Sequence, residues 1–342
     1  MKIAFIALLI CWPLVMATQG SAQPKPAPGK LIDIGGYRLH LNCTGGKDPT
    51  VVLIAGAGDF SFDWSLVQPG IAKFARVCSY DRAGFAWSDP GPTPRTMKQE
   101  AFELHTLLSA ARIKGPYVLV GHSIGGLIAR VYANQYSPEV AGIVLIDSTH
   151  EDTTLMINGK LAHMRELAQA DPVPPVQTMK SSPPRPAVKE DLNQFEFNLK
   201  MFGPPKISAP FDKLPTEVQS MRLWFLSQPP RVAHERDFLP EELRDLFAAS
   251  AKKPDQLGNL PLVILLPKAD YGDPPPGIDA AEWKRLNEEK RQQKLRFRNL
   301  SHDSRLIVAE HSGHHIQLDE PQVVIDAVRL IVDAAREHRP LK

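Results

Sequence analysis

The segment GHSIG, 121–125, sets Ser123 between two glycines, directly after the apolar run YVLV and directly before Gly126 and the helix former Leu127. A serine hydroxyl is a weak nucleophile until a base takes its proton, and it must stand clear of the backbone to reach a carbonyl carbon. The G-x-S-x-G spacing answers the second need. A tight strand-to-helix turn forces the serine into a strained conformation, and neighbouring chain lies too close for side chains where the glycines stand. The bare pattern also arises by chance or as a glycine-rich turn, but the strand before it and the helix after it favour the nucleophile. The helix beginning beyond Ser123 supplies amide donors and positive dipole potential where an oxyanion would develop. A base needs a proton affinity near neutral pH, and the stretch HSGHH, 311–315, offers His311, His314 and His315. An acid that orients such an imidazole completes the set, and two apolar runs lead into candidates: GIVLIDS into Asp147 and PLVILLP into Asp270. Asp303 is a more distant choice, and His122 reads as scaffold of the turn.

These residues need elements to hold them. After a proline-rich linker, 24–28, LIDIGG and YRLHLNC read as a hairpin, and TVVLIAG and ARVCSYD as strands. A helical stretch at 97–111, the strand YVLVGHS, a helix after Ser123 and the strand GIVLIDS continue the alternation, which predicts an α/β sheet. Two later strands, 261–267 and 304–310, lead to a terminal amphipathic helix carrying Val323, Val324, Ala327, Leu330 and Ile331. Ahead of these two strands, 150–259 is broken by proline clusters and reads as a predominantly helical insertion. Its Phe195, Phe197, Met201, Phe202, Met221, Trp224 and Phe225 either line a cleft or pack a small core, the latter favoured for most of them. A second excursion, 271–299, carries the highly charged helix AAEWKRLNEEKRQQKL, whose charges read most simply as a solvated surface.

The chain has 342 residues, 43% hydrophobic and 23% charged, enough for a sizeable core and too few charges for a disordered chain. Forty basic against thirty-eight acidic side chains give a net charge of +2 with no basic stripe, which argues against nucleic acid. Residues 1–22 combine one lysine, an apolar run over 3–16 and small residues Gly20 and Ala22, the pattern of an export signal cleaved after Ala22. The run is short and interrupted by Pro13, so no stable membrane insertion is expected of the mature chain, whose destination would be periplasmic or secreted. Cys43 and Cys78 then remain, in a compartment where a disulfide persists; a bond and two buried thiols are both open readings. No acidic, histidine-rich cluster of the kind expected of a metal site stands out along the chain.

Four separated motifs make this sequence resemble the α/β-hydrolase superfamily over nearly the whole mature chain: LIAGAGDFSFDW, YDRAGFAWSD at 80–89, GHSIG and SGHHIQLDEP at 312–321. The resemblance implies a predominantly parallel eight-stranded sheet, with a core from 23–149 and 260–342 and a cap at 150–259. Where members of the superfamily often carry His-Gly, this chain has Ala55 and Gly56, and position assigns the oxyanion hole to the backbone N–H groups of Ala57 and Ile124. Gly58 brings backbone near substrate or simply makes a sharp turn. Asp81 and Arg82 match a segment that is structural in similar hydrolases. The histidine loop matches at His314. The end of the penultimate strand commonly carries the acid, which selects Asp270 and gives the chain order Ser123, Asp270, His314; some members use the earlier strand, which would select Asp147. The implied strand order also puts the second strand beside the fourth, within reach for a Cys43–Cys78 disulfide.

The chemistry that follows is attack by Ser123 on a carbonyl, collapse to an acyl-enzyme, and hydrolysis by water that His314 activates. The expected protein is an exported carboxylic ester hydrolase acting on a small or medium, apolar or aromatic small-molecule ester, with no cofactor and no metal. Serine at the turn argues against haloalkane dehalogenase or ordinary epoxide hydrolase chemistry, where similar proteins place aspartate. Three alternatives stand beside this reading. One is an aminopeptidase or amidase with Glu151, Asp152 or Glu235 anchoring an amine, although these charges read more simply as surface. The others are a haloperoxidase-like perhydrolase and a catalytically silent binding protein.

Overall fold

The computed structural model describes residues 26–157, 160–180, 189–229, 239–268, 274 and 279–341. The segment read as an export signal, 1–22, lies outside them. The strands are β1 (Lys30–Asp33), β2 (Arg38–Thr44), β3 (Thr50–Ile54), β4 (Val77–Tyr80), β5 (Tyr117–His122), β6 (Val140–Ile146), β7 (Thr154–Ile157), β8 (Lys160–His163), β9 (Leu262–Pro267) and β10 (Ser304–Ala309). The helices are α1 (Gln68–Ala72), α2 (Met97–Ala110), α3 (Ile124–Gln135), α4 (Lys189–Phe202), α5 (Thr216–Leu226), α6 (Pro240–Lys252), α7 (Ala280–Leu295), α8 (Ile316–Asp319) and α9 (Pro321–Glu337).

Eight strands form one sheet in the order β1-β2-β4-β3-β5-β6-β9-β10. From β4 to β10 the pairings are parallel, and the antiparallel β1 and β2 close one edge. The inner strands are unbroken runs of Val, Ile and Leu because both of their faces are covered. Alternation sorts them: Val51, Leu53, Val118, Val120, Val144, Ile146, Val263 and Leu265 pack with Ile71 of α1 and with Val324, Val328, Ile331 and Val332 of α9. Their neighbours Val52, Ile54, Leu119, Ile143, Leu145, Leu262 and Ile264 face α2 and α3 through Leu104, Leu108, Leu127 and Ile128. Each such fully buried side chain contributes about 1.5–3 kcal/mol of transfer free energy, so the two cores hold the sheet rigid beneath its loops. In the antiparallel register of β2 on β4, Cys43 stands opposite Cys78, and the two form a disulfide.

The described residues between β6 and β9 contain α4, α5 and α6 and also the small antiparallel sheet of β7 and β8. α6 rests on the short turn Met164–Leu167, where the Arg165 guanidinium lies 4.2 Å from the centre of the Phe247 ring. Because β5, β6, β9 and β10 run parallel, the loops that leave their C-terminal ends meet along one rim of the sheet, where ligands bind in open α/β sheets.

Candidate active site

Ser123 joins β5 to α3 with φ 53° and ψ −121°, a conformation that L-residues adopt only under constraint. Its N–H donates to the Ile146 carbonyl at 3.0 Å, and its own carbonyl accepts from Gly126 at 3.1 Å and Thr149 at 2.9 Å, so the turn is bolted to the end of β6. A Cβ on Gly121 would strike the Gly125 carbonyl, and one on Gly125 would strike the Ile54 carbonyl, which explains both glycines of the pattern. The serine itself is half-buried. Ile124 opens α3, so its N–H belongs to the first turn, whose amides lack partners within the helix.

His314 lies between β10 and α8, and its Nδ1 is 2.5 Å from Asp147 Oδ2. Asp270, which position on the penultimate strand selects, lies outside the described residues. Asp147 directly follows β6, next to the strand that delivers Ser123, and its N–H donates to the Leu265 carbonyl at 2.9 Å. Its carboxylate is buried; against the desolvation that raises its pKa, the Lys294 charge and the His314 hydrogen bond hold it well below the usual range. The histidine loop is tied down by the acids of LDEP: Asp319 Oδ2 accepts from Gly313 N–H at 3.0 Å, and Glu320 Oε2 accepts from His311 N–H at 2.9 Å. His311 is exposed, and His315 turns away towards Asp59.

Ala57 lies in the turn after β3, closed by the Asp59 N–H on the Gly56 carbonyl at 3.2 Å. Arg82 holds that turn from beneath, donating to the Gly56 carbonyl at 2.9 Å while it pairs with Glu100 at 3.3 Å. Asp81 accepts from Ser61 N–H at 2.7 Å and meets His40 at 2.8 Å. The YDRAGFAWSD segment therefore props the loop that carries Ala57. Above it, α5 lays Phe225 against Phe60, Phe62 and Trp87, with ring centres 5.2 to 5.9 Å apart, and Val218 and Met221 join the same apolar patch.

Several contributors were not visible along the chain. α7, read as a solvated charged helix, buries Leu286, Asn287, Gln293 and Lys294. Lys294 Nζ donates to Asp147 Oδ1 at 2.7 Å, and Gln293 donates to the Asp152 carbonyl at 2.6 Å. The lysine was hidden because a charged helix has no sequence signal for which charge turns inward. Glu151 and Asp152 are likewise buried, not surface charge: Glu151 accepts from Arg130 at 2.6 and 3.1 Å, and Asp152 faces Arg165 and His163. Glu235 lies outside the described residues. His122, expected as scaffold, donates from Nε2 to the His314 carbonyl at 3.0 Å, and burial pushes its imidazole down to about 4.

Lys294 gives a first expected outcome. Removing a buried charge-assisted hydrogen bond costs about 1.5–3 kcal/mol, a factor of about 10 to 100 in rate if all of it is lost at the transition state. Lys294→Met should therefore lower kcat at least tenfold with KM little changed, checked by steady-state kinetics on the folded variant; a wild-type kcat would show that Lys294 does not position Asp147.

The comparisons with known proteins agree with this architecture. The model of the Alpha/beta hydrolase family matches residues 51–327. An AB hydrolase superfamily protein of Gibberella zeae is 24% identical over 304 residues, which cover 85% of this chain and 88% of its own length. Three further curated relatives are 33 to 34% identical over 34 to 36% of this chain, which spans only 19, 28 and 47% of their lengths. Among solved structures, the serine hydrolase CCSP0084 from Cycloclasticus zankles superposes with a TM-score of 0.59 at 16% identity, covering 89% of this chain and 97% of that one. A thermophilic esterase from Thermogutta terrifontis gives 0.55 at 19% identity, over 87% and 94%. The family match over most of the chain, on a sheet of this order with its serine at this turn, establishes that the protein belongs to the α/β-hydrolase family.

Proposed function

We propose that this α/β hydrolase is an exported serine esterase that cleaves carboxylic esters of small or medium size bearing an apolar or aromatic group. The observation that carries the proposal is Ser123 at φ 53° on the N-terminus of α3, on the rim where His314 and Asp147 pair at 2.5 Å. Asp147 holds the proton on His314 Nδ1, so Nε2 takes the Ser123 proton as Oγ attacks the ester carbonyl. The oxyanion is stabilised by the Ala57 and Ile124 N–H groups and by the positive end of α3. His314 then returns the proton to the departing alcohol, and in the second half-reaction takes one from water that attacks the acyl-enzyme. These residues account for base, nucleophile and charge stabilisation.

The patch of Phe60, Phe62, Trp87 and Phe225 beside the Ala57 loop supports an apolar or aromatic acyl or alcohol group. Of the carboxylates that could anchor a peptide amine, Glu151 is already engaged by Arg130 and Ser250. The disulfide and the 1–22 segment favour export to the periplasm or beyond, and no helix of the described residues is long and apolar enough to cross a membrane.

A panel of p-nitrophenyl esters of increasing acyl length, with one aromatic member, tests the proposal. The expected result is highest kcat/KM for medium or aromatic acyl groups, falling about tenfold in Phe225→Ala as buried aromatic contact is lost. Hydrolysis of p-nitroanilides in preference to every ester would overturn it.

A further inference from the structure

Behind the catalytic pair, three residues distant in sequence converge: Asp59 from the loop after β3, His122 at the end of β5 and His315 from the histidine loop. His122 Nδ1 is 3.2 Å from Asp59 Oδ2, and His315 Nε2 is 3.7 Å from the same oxygen. One donor atom from each residue falls within 4.8 Å of the others. Asp59 and His122 are buried at 6% and 1% exposure, and the Phe211 ring closes edge-on over His315 at 4.7 Å.

A singly protonated His122 cannot donate to both of its neighbours. Its Nε2 faces the His314 carbonyl at 3.0 Å, and a carbonyl oxygen only accepts, so Nε2 carries the ring hydrogen. Nδ1 of a singly protonated ring is then a lone pair, and it points at a carboxylate oxygen, which also only accepts. Two acceptors at 3.2 Å need a positive atom between them. Imidazoles that ligate metals characteristically donate their other nitrogen to a backbone carbonyl or a carboxylate, which is the arrangement of His122.

We propose that Asp59 Oδ2, His122 Nδ1 and His315 Nε2 bind a divalent transition-metal cation of the Zn²⁺ class. Zinc takes imidazole and carboxylate ligands at about 2.0–2.2 Å in tetrahedral array, which sets ligand atoms about 3.3–3.6 Å apart. Here Asp59 Oδ2 lies 3.2 and 3.7 Å from the two imidazole nitrogens and all three atoms fall within 4.8 Å, so binding would draw the two imidazoles closer together. Two imidazoles and one carboxylate leave the fourth position to water. The cation would join the oxyanion loop, the serine turn and the histidine loop at one point, and so would fix the three segments that carry the proposed catalytic groups. The sequence shows no metal motif because the ligands lie at 59, 122 and 315, and only the fold brings them together.

The test uses the whole mature protein, stripped with chelator and desalted, then titrated with Zn²⁺ by calorimetry and with Co²⁺ by visible absorption. The expected result is one equivalent bound, a raised Tm in Zn²⁺, and the intense d–d bands of four-coordinate Co²⁺. His315→Gln, which alters a half-buried side chain and keeps the His314–Asp147 pair, should weaken binding at least 100-fold and abolish those bands; Asp59→Asn should do the same where it folds. No saturable one-to-one binding by wild type would overturn the site and leave a second proton on His122 as the group between the acceptors. Undiminished affinity in His315→Gln would overturn it equally, by placing the metal elsewhere.

Discussion

Asp147→Asn is expected to lower kcat by about 10⁴-fold while leaving the fold intact, because an amide in place of the carboxylate stabilises the wrong histidine tautomer. In the wild type the carboxylate pairs with His314 Nδ1 at 2.5 Å, which in the proposed mechanism leaves Nε2 to take the serine proton. Asparagine donates as well as accepts, so the ring can settle with its lone pair on Nδ1 and its hydrogen on the nitrogen that must act as base. Asp270→Asn, by contrast, should keep kcat within about threefold of wild type. Kinetics on the two variants, each checked for folding by circular dichroism, decide between the aspartates. A dead Asp270→Asn beside an active Asp147→Asn would return the role to the penultimate strand.

Ser123→Ala should reduce ester hydrolysis by about 10⁴ to 10⁶-fold, to the residue that oxyanion stabilisation and binding alone provide. Alanine occupies the same φ 53° backbone with no added bulk, so the turn and its hydrogen bonds to Ile146 and Thr149 survive. The drop should fall on kcat, because the hydroxyl makes its decisive interaction as the new bond forms. Stopped assays with enough variant to detect 10⁻⁵ of the wild-type rate check the magnitude; a loss of less than tenfold would remove Ser123 from the chemistry.

Much of this was legible in the chain because the relevant signals are local. Short runs rich in β-branched residues, such as TVVLI and GIVLI, read as strands buried on both faces, and the sheet alternates their side chains between two cores as that reading requires. The G-x-S-x-G turn is a local steric device, so the position of Ser123 between β5 and α3 follows from six or seven residues. The pairing of Cys43 with Cys78 needed the strand order as well, since 35 residues separate them.

What escaped the sequence depends on contacts between distant segments. Asp147 and Asp270 both follow apolar strands, and nothing in either run says which carboxylate meets the histidine loop; that depends on how the chain leaves β6, β9 and β10. Lys294 sits among the charges of α7, where helical spacing alone does not distinguish the residue that turns towards Asp147. The same holds for Arg222, which leaves an otherwise apolar stretch of α5 to reach Asp63 and Asp59. The β7–β8 pair was hidden in a segment whose prolines and helical stretches dominate its composition.

The most direct test of the central claim is to label the folded wild-type protein with a serine-directed alkyl phosphonate and locate the adduct by peptide mass spectrometry. One adduct per molecule on the peptide containing Ser123, formed in step with the loss of esterase activity and absent from Asp147→Asn on the same timescale, is the predicted result. Full ester turnover by protein that carries no adduct, or an adduct on another residue that tracks the loss of activity, would contradict the assignment of Ser123 as the nucleophile driven by the His314–Asp147 pair.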